Sequence, residues 1–142
     1  MNIVLDTNVL IAALLKESKV REIVVNSYNT FIVPSLIFSE ILKHKEELLI
    51  KSGLDEADFN FLMMKISDYF MAIPNEIIKP YKEEADKIIG SIDKDDVPII
   101  ATSLAFNSCP IWTDDKHFEK QGKIKIHKTE DMIKLFEIEQ RD

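Results

Sequence analysis

Short apolar runs alternate along the chain with longer segments in which apolar and polar residues mix. Each run is about five residues long and is typical of a strand that is buried on both faces. The predicted strands cover residues 2–6, 30–34, 71–74, 110–114 and 123–127. Helix-length segments separate them, which indicates βαβ units. We therefore predict an α/β fold, a three-layer sandwich whose central, mostly parallel sheet is flanked by helices.

The segments between the strands carry helix start and stop residues. Asn8 and Ser35 are suited to cap helices, Gly53 is suited to end one, and Pro98 lies in a first turn, where proline is tolerated. The predicted helices cover residues 8–15, 18–28, 35–53, 55–70, 76–90, 95–107 and 129–140. The helix at 35–53 is thus expected to be continuous.

Length and composition place further limits on the chain. Its 142 residues are expected to form one domain, residues 1–142. The one cysteine excludes an internal disulfide, and no apolar run approaches the roughly 18 residues of a membrane span. Without a signal-peptide pattern, we expect a cytoplasmic protein. The net charge of −7 argues against a broad basic surface for nucleic acid, but not against a local site that uses metal ions.

Acidic residues occur where predicted strands end. Asp6 ends the first strand, and Asp114 and Asp115 end the fourth. Glu40 lies within two turns of the start of the helix after the second strand, and the acidic run 93–96 precedes another helix. Because ligands of an open parallel sheet gather at the carboxyl ends of its strands, we expect these acids to lie at one edge.

Each acid also has an ordinary structural explanation. Asp6, Asp114 and Asp115 suit caps or turns, the run 93–96 suits a helix dipole, and Glu40 suits a solvated helix face. Together, however, clustered carboxylates raise one another's pKa unless a cation binds. Mg²⁺ and Mn²⁺ prefer oxygen ligands. The cluster therefore favours a site for Mg²⁺ or Mn²⁺, while the capping roles stay open.

Other kinds of site have weaker support in the sequence. His44, His117 and His127 lack the spacing of a zinc site and are interpreted as surface or packing residues. The three glycines form neither a dinucleotide-binding fingerprint nor a P-loop.

Four acidic stretches follow one another along the chain. They are "IVLDTNVLI", "VPSLIFSEIL", "DKDDVPIIATSLA" and "PIWTDDKHF". In this order they resemble the motifs of the PIN domain, the ribonuclease fold found in VapC-type toxins. In the first, Asp6 matches the opening acid, with Thr7 and Asn8 as its polar supports. In the second, Glu40 matches the helical acid.

The last two stretches carry the remaining motif acids. In the third, the acid lies five residues before a helical alanine, so Asp96 before Ala101 is the better match. In the fourth, Thr113, Asp115 and Phe118 match the motif positions. The carboxylates that these motifs leave over are Asp93, Asp95 and Asp114.

The resemblance implies a metal-dependent endoribonuclease that acts on RNA, often the toxin of a type II toxin–antitoxin pair and often a homodimer. The metal ligands that it implies are Asp6, Asp96 and Asp115. Glu40 would ligate a second ion or orient the attacking water, and Thr113 and Asn8 would hold the carboxylates in place. Asp95 and Asp114 are further candidate supports.

Two alternatives remain open. In a haloacid-dehalogenase-type phosphatase an aspartate also ends the first strand and Mg²⁺ is bound, but that chemistry requires a second aspartate where this chain has Asn8. The other alternative is a PIN-fold interaction module whose cleft does not cut RNA.

The predicted helix at 55–70 is unusually apolar. Its large apolar residues are Phe59, Phe61, Leu62, Met63, Met64, Ile66, Tyr69 and Phe70. This exceeds what one packed face requires, so the segment either forms a homodimer interface or is buried within the monomer.

Overall fold

A parallel sheet organises the described part of the molecule. The computed structural model describes residues 1–15 and 18–141. The strands of the sheet are β1 (Asn2–Leu5), β2 (Thr30–Pro34), β3 (Phe70–Ile73), β4 (Ile111–Trp112) and β5 (Ile126–His127). They lie in the order β3-β2-β1-β4-β5, and each pairing among them is parallel. The prediction of a mostly parallel sheet is confirmed.

Helices flank the sheet and complete the predicted three layers. They are α1 (Thr7–Leu15), α2 (Lys19–Asn26), α3 (Leu36–Lys43), α4 (Lys45–Ser52), α5 (Glu56–Ser67), α6 (Asn75–Ile78), α7 (Lys82–Ala85), α8 (Val97–Ala105), α9 (Lys116–Glu119) and α10 (Thr129–Arg141). One group packs α1 against α2 and α5, and α2 against α10. A second group packs α6 and α7 against α8, which lies on β1 and β2.

Burial on both faces of the sheet explains why the strands are continuous apolar runs in the sequence. Ile3, Val4 and Leu5 of β1 are completely buried, because helices cover the sheet and β2 and β4 border this strand on either side. Among the described helices, none is both long enough and apolar enough to cross a membrane.

The predicted helix at 35–53 is instead two helices. The chain leaves helical geometry at His44, where φ is −103° and ψ is 15°, and α4 begins with Glu46 and Glu47 in its first turn, which suits a new helix N-terminus. Ser35, the predicted cap, directly precedes α3, but its dihedrals are helical and its side chain makes no capping hydrogen bond within the described residues. Its N–H donates to the carbonyl of Ile73. Gly53 ends α4 in the left-handed region at φ 72°, as predicted.

The predicted helix at 76–90 is divided into short pieces, and the break that Pro80 predicts is present. Between α6 and α7 lies a 3₁₀ turn at Lys79–Tyr81, which contains Pro80, and a π-helical turn follows at Asp86–Gly90. Proline has no N–H to donate to the preceding turn, which accounts for the break.

The last strand is shorter than predicted because the buried side chain of Gln121 forms hydrogen bonds with backbone groups that a longer strand would use for pairing. The Gln121 amide donates to the carbonyls of Phe118 and Ile124, and its oxygen accepts from the N–H groups of Lys123 and Ile124. The predicted strand at 123–127 therefore pairs only at Ile126–His127.

Candidate metal centre

The register of the two central strands brings the first predicted acid to the edge of the sheet. Leu5 pairs with Trp112, so Asp6 and Thr113 leave β1 and β4 side by side. The strand order changes direction between β1 and β4, since β2 and β3 lie on one side and β5 on the other. Crevices at such points of parallel sheets are where ligands bind.

Asp6 is buried and held by hydrogen bonds. The Thr113 hydroxyl donates to Asp6 Oδ2 over 2.7 Å. Burial raises the pKa of Asp6, while the bonds from Thr113 and from the backbone N–H groups of Thr7 and Asn8 lower it. Helix α1 begins at Thr7, so Asn8 lies in its first turn and does not cap it. Thr7 and Asn8 thus support Asp6 through the backbone.

Thr113 also connects Asp6 to the next acid. Its hydroxyl oxygen accepts the N–H of Asp115 over 3.0 Å. Asp115 in turn caps the short helix α9, because its Oδ1 accepts the N–H of His117 over 2.9 Å. One hydroxyl therefore fixes the relative positions of two candidate metal ligands.

Asp96 is a buried acid whose carboxylate is not fully satisfied by hydrogen bonds within the described residues. It lies at the N-terminus of α8 with 8% of its surface exposed, and its Oδ2 has no hydrogen-bond partner among the described residues. Its pKa is raised to about 7, first by burial and then by Asp93, Asp6 and Asp115, and His117 opposes this rise.

A polar cleft joins these acids to the remaining motif residue. Its lining consists of Asp6, Thr7, Asn8, Glu40, Lys43, His44, Asp93, Asp95, Asp96 and Asp115. Glu40 is exposed on α3, and Lys43 and His44 add basic groups close to it along the chain. Asp95 is exposed, and its N–H donates to Asp93 Oδ1.

Asp114 is engaged elsewhere. Its carboxylate accepts both the N–H and the hydroxyl of Thr129, the first residue of α10. The Trp112 indole donates to the same hydroxyl over 3.0 Å. The structure thus gives Asp114 the capping role that the sequence left open.

His117 is a member of the cluster that the sequence interpretation missed. Its Nδ1 lies 3.2 Å from Asp93 Oδ2 and 3.7 Å from Asp115 Oδ1. The short spacing from Asp115 is a signal that could have identified it. The contact with Asp93 could not be read from local spacing, because these residues are 24 positions apart.

The residues of the cleft fit a divalent cation. A buried carboxylate oxygen without a partner is rare in proteins unless an ion or water satisfies it. Here that oxygen belongs to Asp96, and neighbouring carboxylates of Asp93, Asp6 and Asp115 make the local field negative. Carboxylates are the ligands that Mg²⁺ and Mn²⁺ favour.

Fold and site together define an α/β protein with an acidic cleft at the carboxyl edge of a parallel sheet. A family model described as "PIN domain" matches residues 4–137. Because this match covers most of the sequence, the chain belongs to the PIN domain family, as the four motifs predicted.

A solved structure supports the fold assignment. The crystal structure of VapBC2 from Rickettsia felis, bound to a DNA fragment from their promoter, aligns with a TM-score of 0.67. The alignment covers 90% of this chain and 98% of that chain, with 16% sequence identity. At this identity the similarity concerns the fold alone.

A curated relative matches only part of the chain. The phosphoglucomutase of Staphylococcus saprophyticus is 34% identical over 62 residues, which is 44% of this chain and 11% of the relative. The matched segment spans about a tenth of that enzyme's length, so the similarity assigns no activity to this chain.

Proposed function

We propose that this chain is a single-domain, divalent-metal-dependent endoribonuclease that hydrolyses phosphodiester bonds of RNA. The observation that carries the proposal is the buried Oδ2 of Asp96, which finds no partner in residues 1–15 and 18–141 although it lies among the acids at the β1–β4 edge. Membership of the PIN domain family supports the same conclusion.

The acids divide into ligands and supports. Asp6, Asp96 and Asp115 would hold the ion, and Thr113 would keep Asp6 and Asp115 in register through its hydroxyl. A divalent ion bound there would lower the pKa of a coordinated water and neutralise charge on the phosphate oxygens. Glu40, exposed in the same cleft, would orient the attacking water or ligate a second ion.

Basic groups in the cleft suit a nucleic-acid strand. Lys43 and His44 line it together with Glu40, in a chain whose net charge is −7. Without cations the clustered carboxylates would repel a phosphate backbone, so RNA binding should itself depend on the metal.

Cleavage of a fluorogenic RNA pool tests the proposal. The purified protein should cut RNA with Mg²⁺ or Mn²⁺ and stop when EDTA is added. Asp6→Asn should abolish cleavage and leave the circular dichroism spectrum intact, whereas Asp68→Asn, which changes an exposed acid outside the cleft, should not. Cleavage at the wild-type rate by Asp6→Asn would refute the site assignment.

The same preparation distinguishes the two alternatives. Release of inorganic phosphate from a monoester, without RNA cleavage, would identify a phosphatase of the haloacid-dehalogenase type. Neither activity, and no thermal shift with Mg²⁺ or Mn²⁺, would indicate a non-cutting interaction module.

We further propose that the enzyme is the toxin of a type II pair in the cytoplasm, with an antitoxin protein as its partner. The similarity in fold to a toxin–antitoxin complex supports this proposal. Expression of the chain should arrest growth, and Asp6→Asn should relieve the arrest. A small neighbouring reading frame that restores growth when co-expressed would identify the antitoxin.

A homodimer is also proposed. Along α5 and into β3, Phe61, Met64, Tyr69 and Met71 are each more than 40% exposed, while Phe59 is fully buried. The segment thus fills the core on one side and leaves apolar surface on another. A two-fold contact through this surface would cover it with the same residues from each subunit.

A further inference from the structure

Three side chains in the described structure are close enough together to hold a metal ion, and two of them, Asp93 and Asp96, line the cleft. One atom each of Asp93, Asp96 and His117 lies within 4.8 Å of the other two. We propose that these three residues form a metal position with a nitrogen ligand, which prefers Mn²⁺ to Mg²⁺. The inference deepens the proposed function and rests on its divalent-metal dependence.

The distance between two of the groups fits a shared ion. His117 Nδ1 and Asp93 Oδ2 are 3.2 Å apart. Two ligands at right angles around one ion, with bonds of about 2.1 Å, are roughly 3 Å apart. A plain hydrogen bond also has this length, so the distance alone does not separate an ion pair from a metal site.

Backbone N–H groups hold the side chain of one ligand and fix the start of the helix that carries another. Asp93 Oδ1 accepts the N–H of Asp95 over 2.9 Å, while the other oxygen, Oδ2, lies beside His117. The N–H of His117 donates to Asp115 over 2.9 Å, which positions the start of α9. Ligands held by their surroundings in this way need little rearrangement to bind an ion.

Asp96 supplies the second observation. The contact between His117 and Asp93 leaves the buried Oδ2 of Asp96 without a hydrogen bond in the part of the chain that the structure describes. A cation bound by all three side chains would neutralise the carboxylates of Asp93 and Asp96, and Asp96 is the residue that carries this unpartnered oxygen. An ion pair between Asp93 and His117 alone does not explain why Asp96 is the third residue of this group.

The nitrogen ligand determines which ion is favoured. Mg²⁺ binds oxygen ligands and water almost exclusively, whereas first-row transition metals also accept imidazole. A site of two carboxylates and one imidazole should therefore bind Mn²⁺ more tightly than Mg²⁺. An oxygen in place of the imidazole nitrogen should remove that preference.

Pulsed electron paramagnetic resonance of the Mn²⁺-loaded protein tests the inference directly. The wild-type protein should show coupling to a histidine nitrogen, and labelling with [¹⁵N]histidine should change that signal. His117→Asn should remove it, whereas the matched change His44→Asn in the same cleft should keep it. The labelled wild-type sample gives a result that does not depend on how any variant folds.

Calorimetric titration adds the affinities. His117→Asn should weaken Mn²⁺ binding by at least about tenfold and Mg²⁺ binding by less than about threefold. Mn²⁺ binding without histidine coupling, or coupling that persists in His117→Asn, overturns the inference and indicates an ion pair only. In that case metal-dependent RNA cleavage by the wild-type protein still supports the proposed function. Absence of divalent-metal binding would instead overturn both.

Discussion

Replacing Asp96 by asparagine should stabilise the metal-free protein while it removes activity. The side chain is buried, and burial together with Asp93, Asp6 and Asp115 raises its pKa from an ordinary 3.8 to about 7. Between these two values the folded protein retains a proton that the unfolded chain has lost. Stability should therefore fall as pH rises through this interval and stay low above it.

The size of the effect follows from the same values. Each pH unit between the folded and unfolded pKa corresponds to 1.36 kcal/mol, so the full penalty is roughly 4 kcal/mol, and about 2–4 kcal/mol is expected after local relaxation. In a chain of this length that corresponds to a rise in Tm of about 6–12 °C for metal-free Asp96→Asn near pH 8. Near pH 4 the folded protein keeps the proton on Asp96, and the unfolded chain is itself partly protonated because its pKa of 3.8 lies close to this pH, so the gain should be much smaller.

Urea unfolding in EDTA, followed by circular dichroism at both pH values, measures this gain. The matched control is Asp95→Asn, which removes the same charge from an exposed neighbour and should change stability little. RNA cleavage should fall strongly in Asp96→Asn and less in Asp95→Asn. Equal stabilisation at both pH values would refute the pKa argument, and equal or reversed losses of cleavage would refute the choice of Asp96 as ligand.

Three further predictions concern the supports and the surface. Thr113→Val should destabilise the protein by about 1–3 kcal/mol in urea unfolding and lower cleavage at least about tenfold, because Asp6 loses its hydroxyl donor. The control is Thr102→Val, a change at another buried threonine, which should leave cleavage unchanged. Asp114→Ala should cost about 1 kcal/mol of stability through the lost cap and keep cleavage, and loss of cleavage in a folded variant would contradict its capping role. Light scattering should give about twice 16.4 kDa for the wild type and a lower mass for Met64→Glu, whereas 16.4 kDa for the wild type at all concentrations excludes the dimer.

Local patterns in the sequence were sufficient for the layers of the fold and for several acids of the cleft. Continuous apolar runs identify strands buried on both faces, and an acid directly after such a run must leave the sheet at its carboxyl edge. Asp6 follows this rule, whereas Asp115 lies three residues beyond the end of β4 and was identified by its match to the fourth motif. The break at His44 was missed because apolar periodicity continues from α3 into α4, and only the dihedral angles show the new helix start.

The tertiary structure decided which neighbouring acids share a site. Asp114 and Asp115 are adjacent in sequence, yet Asp114 caps α10 and Asp115 lines the cleft. The contact between Asp93 and His117 depends on where the turn before α8 meets α9. The periodicity of apolar residues identifies only residues that share a face of one helix or strand. The contact between Asp93 and His117 depends instead on the order of strands in the sheet. That order placed β1 beside β4 and brought distant carboxylates together in one cleft, with the imidazole of His117 in contact with two of them.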